Sequence, residues 1–285
     1  MLADYHVHTS FSDDAVIPME EVVKIAIEKG LDEICFTEHM DYGVKTDLDH
    51  GSVDYQERLE HSLKEKDTGL NCDCEAYQKE LERCRRLYGD RIHIRMGMEF
   101  GMQTHTVDAF QKVFDRYPFD FIILSCHQVG DQEFWTGEFQ KGKTQAEYNR
   151  RYYEEILKVV RRYDDYSVLG HLDMIRRYDP TGDFPLSGVQ DLVEEILRTV
   201  IAGGKGIEIN TSCFRYGLKD LTPSREILQL YRRLGGEIVT IGSDAHTGEW
   251  VGCQAAEMQR ELRRLGFSHI CLYEQMKPVR RELIL

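Results

Sequence analysis

Short apolar runs alternate with amphipathic stretches from one end of this chain to the other. The runs cover residues 2–7, 33–37, 92–98, 119–125, 167–170, 206–210 and 237–241. Each is only a few residues long, and most are rich in β-branched or aromatic side chains, the pattern of a buried strand. Helical patterns fit between them. Pro18 opens one helix and Gly30 closes it, the usual asymmetry of helix ends. Thr144 and Glu147 form a capping box ahead of Tyr148, Tyr152, Ile156 and Val159, which share one face. Ser187 and Gln190 predict a second capping box, leading into Leu192, Ile196, Leu197 and Val200. Thr222-Pro223 opens a further helix that stops at Gly235-Gly236, and the last clear helix ends near Gly266. One more short run, residues 268–273, is a candidate for closing the structure.

Regular strand–helix alternation implies a parallel sheet with right-handed crossovers. The 285 residues are enough for one large α/β barrel or two small domains. No Pro/Gly/Ser-rich linker or block of charge divides them. The expectation is a single domain over residues 1–285, an α/β barrel of seven strands, with an open doubly wound sheet as the structural alternative. Residues 43–70 are polar and read as a loop with a peripheral helix, part of a peripheral insertion at about 43–90.

Charge narrows the function. The formal net charge is −14, which argues against general nucleic-acid binding and against an anionic membrane surface. It leaves room for a small anionic substrate held by local arginines or metals. No apolar run reaches the ~18 residues of a membrane span, and no secretory signal is visible after Met1, so a cytoplasmic location is expected. The eight cysteines are scattered without a Cys-x-x-Cys pair. Cys35, Cys126 and Cys271 sit in apolar runs as small core residues. Cys72-Asp-Cys74 reads as two thiols on a surface connection.

The candidate chemistry lies at the ends of the apolar runs. His6 and His8 end the first; on an extended chain their His-x-His spacing points both rings the same way. Glu38 and His39 end the second, Glu99 the third, His127 the fourth, His171 the fifth, and Asp244 and His246 the seventh. In a parallel α/β barrel the C-terminal ends of the strands share one rim, where active sites form. One histidine near a strand end is ordinarily a hydrogen-bonded structural residue. Six of eleven histidines in that position, interleaved with carboxylates, make a metal site the better reading. The remaining histidines (His50, His61, His93, His105 and His269) read as surface or packing residues. A ligand set of imidazole and carboxylate without thiolate suits Zn²⁺, Mn²⁺ or Fe²⁺. The donors are too many for one four-coordinate ion, so two or three divalent metals are implied, with Glu99 as the bridging carboxylate. Such sites support metal-assisted hydrolysis, most naturally of a phosphate ester. An amide or lactam hydrolase is the competing enzyme reading.

These segments together resemble the PHP (polymerase and histidinol phosphatase) superfamily, most closely its histidinol-phosphatase branch. The resemblance is carried by His6-Val-His8-Thr-Ser-Phe-Ser-Asp-Asp14, Thr37-Glu-His39, Gly97-Met-Glu99, Leu124-Ser-Cys-His127, Gly170-His171, Glu208-Ile-Asn-Thr211 and Gly242-Ser-Asp-Ala-His246. It covers nearly the whole chain. It implies a distorted seven-stranded (β/α) barrel of PHP type and a trinuclear metal centre. His6, His8, Glu99 and Asp244 would hold one metal, Glu99, His127 and His171 a second, and Asp14, His39 and His246 a third. Asp13 is the neighbouring alternative to Asp14. The implied nucleophile is a metal-bound hydroxide held by Glu99, Asp244 and His127.

The branch rests on two further segments. One is His171-Leu-Asp-Met-Ile-Arg176-Arg177-Tyr178; the other is Glu208-Ile-Asn210-Thr-Ser-Cys-Phe-Arg215, followed by Pro223-Ser224. Guanidinium groups grip phosphate through paired hydrogen bonds, so Arg176 and Arg215 are expected to bind the substrate phosphate. A surface ion pair is the structural alternative for each, and Arg177 lies beside Arg176. Phe214 stands where a smaller apolar residue is expected. The implied reaction is hydrolysis of the small phosphorylated substrate L-histidinol phosphate to L-histidinol and phosphate, in histidine biosynthesis. Three rivals are carried: a PHP phosphoesterase for another phosphomonoester, nucleotide, cyclic phosphodiester or phosphotyrosine; an amidohydrolase with a carbamylated lysine, for which Lys205 and Lys219 are poor candidates; and a non-catalytic metal-binding module.

Overall fold

The computed structural model describes residues 1–47 and 69–284. Most of the polar stretch at 43–70, with His50 and His61, lies outside the described residues. Seven strands form one parallel sheet: β1 (Ala3–Val7), β2 (Glu33–Met40), β3 (His93–Gly101), β4 (Phe121–Ser125), β7 (Val168–Leu169), β8 (Gly206–Asn210) and β9 (Val239–Gly242). They neighbour one another in chain order. The two sheet edges meet where Asp244 N–H donates to His6 O at 2.7 Å and His8 N–H to Ala245 O at 2.9 Å. The result is a nearly closed barrel, and all seven apolar runs supply its staves. Every residue of β1, β2, β4, β8 and β9 is buried, as expected for parallel strands covered on both faces.

Between β4 and β7 lies a two-stranded antiparallel hairpin, β5 (Gln128–Val129) with β6 (Gln132–Glu133). The crossovers carry α1 (Met19–Glu28), α2 (Cys74–Tyr88), α3 (Val107–Arg116), α4 (Gln145–Val160), α5 (Gln190–Ala202), α6 (Ser212–Arg215), α7 (Arg225–Arg233) and α8 (Ala255–Arg264). Helix α1 begins after Pro18, and Gly30 follows it at φ +74°. Helix α4 has the full Thr144–Glu147 capping box. Helix α2 is the crossover from β2 to β3. Its buried Tyr77 hydroxyl donates to Phe36 O and Gly97 O at 3.0 Å each, tying the helix to both strands.

Three expectations need correction. Cys72 and Cys74 are buried in the core and do not lie on a surface connection. Ser187 does not cap α5: Leu186–Gly188 form a 3-10 turn, and Val189 is the cap. The turn tightens there because Gly188 and Val189 N–H donate to Pro185 O and Leu186 O, while Gly188 packs against the Phe184 ring too closely for a Cβ. Residues 268–273 do not extend the barrel sheet. They form β10 (His269–Glu274), antiparallel to β11 (Lys277–Glu282). This hairpin sits across the N-terminal end of the barrel. Met276 N–H donates to Asp120 O, Tyr273 OH to Ser167 O, and the Tyr273 ring packs 5.0 Å from Phe121. The opposite end is left open for chemistry. No helix among the described residues is long and apolar enough to cross a membrane.

Candidate metal centre

Strand register brings the predicted side chains together at the open end. In the β2–β3 ladder His39 stands opposite Glu99, and in β3–β4 Gly101 stands opposite Ser125. His6 and His8 leave β1, His127 follows β4 and His171 follows β7. Asp244 turns back into the site just past β9 with φ +56°, a left-handed conformation that its short polar side chain tolerates. Two glycines make room. A Cβ on Gly242 would lie 2.3 Å from the His6 Cβ, and one on Gly101 would lie 2.6 Å from His127 Nδ1.

Glu99, fully buried, is the hub. Its Oε2 is 3.2 Å from His6 Nε2, 3.5 Å from His8 Nε2 and 3.0 Å from His39 Nδ1. Its Oε1 is 2.7 Å from His171 Nε2 and 3.1 Å from His127 Nε2. Asp244 Oδ1 lies 3.9 Å from His6 Nε2 and 3.7 Å from His8 Nε2. Asp14 Oδ2 lies 3.1 Å from His246 Nε2 and 3.4 Å from His39 Nε2, and those two nitrogens are 3.2 Å apart. Among the described residues, four overlapping trios bring donor atoms within 4.8 Å: His8–His39–His246, His6–His171–Asp244, His6–His8–Glu99 and His39–Glu99–His127. The structure thus brings together all nine predicted ligands.

The second layer fixes the ring orientations. Glu208 Oε1 meets His6 Nδ1 at 2.6 Å, and its Oε2 accepts from His171 N–H at 2.9 Å. Asp41 Oδ1 meets His127 Nδ1 at 2.6 Å. Ser12 donates to Glu38 at 2.6 Å and faces His8 Nδ1 at 3.1 Å. The Asp244 carbonyl meets His246 Nδ1 at 2.9 Å. Four imidazoles are therefore anchored through Nδ1 with Nε2 turned inward, the arrangement that outer-shell partners impose on metal-binding histidines.

The donor set fits divalent metals. His6 Nε2, His8 Nε2 and Glu99 Oε2 are buried without a hydrogen-bond partner among the described residues, a costly arrangement unless a cation meets them. Metal–nitrogen bonds of about 2.0–2.1 Å in a tetrahedron put ligand atoms about 3.3 Å apart, close to most of these separations. The electrostatics agree. Burial disfavours charge on Glu99, yet His6, His127 and His39 hold its carboxyl well below the usual range. Burial also opposes charge on His127, but Asp41 and Glu99 raise it to about 9. A cation and these histidines compete for the same carboxylates.

Asp13 does not face the cluster. It pairs with buried Lys45 at 2.7 Å and accepts from Leu70 N–H at 3.2 Å, so Asp14 is the aspartate on His39 and His246.

A cavity of about 260 Å³ opens over the cluster, lined by Asp14, His39, Asp41, Lys45, His127, Trp135, His171, Met174, Arg177, Tyr178, Tyr216, Asp244 and His246. Arg176, expected there, is not. It ends in a separate cavity, paired with Asp173 at 2.9 Å and Asp183 at 3.0 Å and bonded to Leu221 O. Residues 174–178 form a 3-10 turn, with Asp173 at its cap. Residues three apart eclipse in such a turn, so Asp173 captures Arg176 and the next side chain points elsewhere. That next side chain, Arg177, is buried and reaches Asp244 Oδ2 at 3.0 Å and Asn210 Oδ1 at 3.1 Å. Its Nε has no hydrogen-bond partner among the described residues. Arg215, also expected there, is not among the lining residues; its Nη1 donates to Asp244 O at 2.7 Å and its Nη2 lies 3.9 Å from Asp244 Oδ1. Phe214 is exposed and does not line the cavity.

Sequence reading missed Arg177, Lys45 and the anchoring roles of Asp41, Glu208 and Ser12. For Glu208 a signal existed: it alternates with Asn210 on β8, which places both on the same face as the ligands.

The comparisons with known proteins point the same way. The PHP domain family model matches residues 4–212. The histidinol-phosphatase of Lactococcus lactis subsp. lactis is 31% identical over 280 residues, covering 96% of this chain and 95% of that protein. A probable histidinol-phosphatase of Thermotoga maritima is 25% identical over 272 residues, covering 95% of each. A crystal structure of the Lactococcus lactis histidinol phosphate phosphatase, complexed with zinc, L-histidinol and phosphate, superposes with a TM-score of 0.82 at 30% identity and covers 98% of each chain. The putative histidinol phosphatase of Listeria monocytogenes shares the fold, with a TM-score of 0.68 at 19% identity over 88% of this chain and 97% of that one. On its sequence, its barrel and its strand-end ligands alike, the chain belongs to the PHP domain family.

Proposed function

We propose that this chain is a metal-dependent phosphomonoesterase that hydrolyses L-histidinol phosphate to L-histidinol and phosphate. The observation that carries the reading is Glu99 at the centre of nine convergent ligands, with a buried arginine, Arg177, facing the same cavity. The relatives named histidinol-phosphatase, matched over almost their full length, supply the substrate. Three groups of residues hold the cations: His6, His8, Glu99 and Asp244; Glu99, His127 and His171; and Asp14, His39 and His246. Zinc is supported by the Lactococcus lactis complex, and the donor set also suits Mn²⁺ and Fe²⁺. Divalent metals in such a site lower the pKa of a bound water towards ~7 and neutralise charge on phosphoryl oxygens.

The chain's own residues do the rest. Arg177 lines the cavity and would hold a non-bridging phosphate oxygen, stabilising charge as the ester bond breaks. Asp244, Asn210 and Ser212 hold the Arg177 guanidinium through Nη2, so it needs no reorganisation when substrate arrives. Arg215, bonded to the Asp244 carbonyl, adds a second positive group beside that carboxylate. Asp41, Glu208 and Ser12 keep the imidazoles aligned. The test is phosphate release from L-histidinol phosphate by metal-loaded protein. Release that is abolished by a chelator and restored by Zn²⁺ or Mn²⁺ supports the reading; no release in either state overturns it.

A further inference from the structure

Among the described residues, five large hydrophobic side chains are exposed, and two of them, Trp135 (41%) and Tyr216 (42%), line the metal cavity. Tyr178 stands between them, with ring centroids 6.2 Å from Trp135 and 6.3 Å from Tyr216. The three rings come from three separate segments: the stretch after β6, the 3-10 turn and the end of α6. Single exposed apolar residues need no explanation, but an aromatic group contiguous with a polar cavity marks a ligand-binding wall.

The wall is built in advance of any ligand. Phe134 is buried against Phe139 and Tyr152, so the next residue, Trp135, turns outward. Buried Gln140 donates to both Phe134 O and Tyr178 O, locking the Trp135 segment to the Tyr178 turn. Arg177 bonds to Asn210 and Ser212 and lies 4.8 Å over the Tyr216 ring, locking that turn to α6. Arg177 thus joins the two halves of the cavity, the ionic floor and the aromatic mouth.

The geometry points to Trp135, Tyr178 and Tyr216 as the specificity-determining cradle for a planar aromatic group in the alcohol half of the ester. This rests on the phosphomonoesterase reading above. Faces and edges of three rings set at 59° and 72° to their neighbours offer stacked and edge-on contact to one heteroaromatic ring. A flexible aliphatic alcohol gains little from the same wall.

The experiment compares kcat/KM for L-histidinol phosphate with that for 2-aminoethyl phosphate, which keeps the amine and the ester but has no ring. Trp135 is partly exposed, so Trp135→Leu is compatible with folding. It lowers the ratio of the two values about tenfold, and Trp135→Phe restores most of it. A structural effect lowers both values together; an unchanged ratio overturns the proposal. A second readout does not depend on turnover. In Trp250→Phe protein, Trp135 is the sole tryptophan. L-histidinol quenches its emission saturably and 2-aminoethanol does not. Equal responses to the two, or none to either, overturn the cradle. Failure of the phosphatase reading shows differently, as no phosphate release by the unsubstituted protein, and the quenching then decides the cradle alone.

Discussion

Asp41 Oδ1 sits 2.6 Å from His127 Nδ1, which turns the other ring nitrogen towards Glu99. Gly101 leaves the space for that pair, since a Cβ there would overlap the Asp41 carboxylate. Asp41→Asn keeps the shape and removes the charge. It should weaken metal binding about 10- to 100-fold, the usual loss when such an anchoring partner changes. Chelator competition measures this, and an unchanged affinity would separate Asp41 from the metal centre.

Two adjacent arginines have opposite assignments. Arg177→Ala removes the arginine proposed to hold the phosphate and should lower kcat/KM for phosphomonoesters about 100-fold while metal content is retained. Arg176→Ala leaves the buried Asp173 carboxylate without its partner, which costs about 3 kcal/mol of stability, but kcat/KM measured well below Tm stays near that of the parent. Steady-state kinetics beside thermal denaturation reads both. The reverse pattern would return Arg176 to the phosphate.

A similar contrast separates Asp13 from Asp14. Asp14→Asn removes the carboxylate charge that faces His39 and His246 and is expected to lose metal. Asp13→Asn breaks a buried ion pair with Lys45 and should destabilise the fold, by less than the ~3 kcal/mol of a fully unpaired charge because Asp41 stays 3.3 Å from Lys45. Metal analysis and calorimetry on the two variants distinguish them.

The barrel and the convergence of the strand-end histidines and carboxylates were legible in the sequence because both are periodic. Strands of a parallel barrel are continuous apolar runs, and each run ends at the same rim, so a histidine just past a run is already placed in space. Legibility failed where the backbone leaves that regularity. The 3-10 turn at 174–178 decides between Arg176 and Arg177, because three residues per turn sets neighbouring side chains about 120° apart. The outer anchors were hidden for another reason. Asp41 belongs to a loop after β2 and meets His127 across 86 residues, a contact that no local pattern encodes. The late start of α5 and the cap formed by β10 and β11 are likewise settled by packing against Phe184 and Phe121.

Metal should also support the fold. Without a cation, buried donors on His6, His8 and Glu99 have no hydrogen-bond partner among the described residues. A ligand at 100 times its Kd stabilises the folded state by about 2.7 kcal/mol, which for a chain of this size raises Tm by about 4–5 °C. Calorimetry during Zn²⁺ or Mn²⁺ titration of chelated protein would show the rise; a flat Tm would mean the donors do not bind these ions.

The most direct measurement is kcat/KM of the metal-loaded protein across a panel of phosphate esters: L-histidinol phosphate, 2-aminoethyl phosphate, a nucleoside monophosphate, phosphotyrosine and a cyclic phosphodiester. The site described here predicts that L-histidinol phosphate has the highest value by at least about tenfold, consistent with an aromatic cradle above a metal and arginine floor. A higher kcat/KM for any other member of the panel would contradict it.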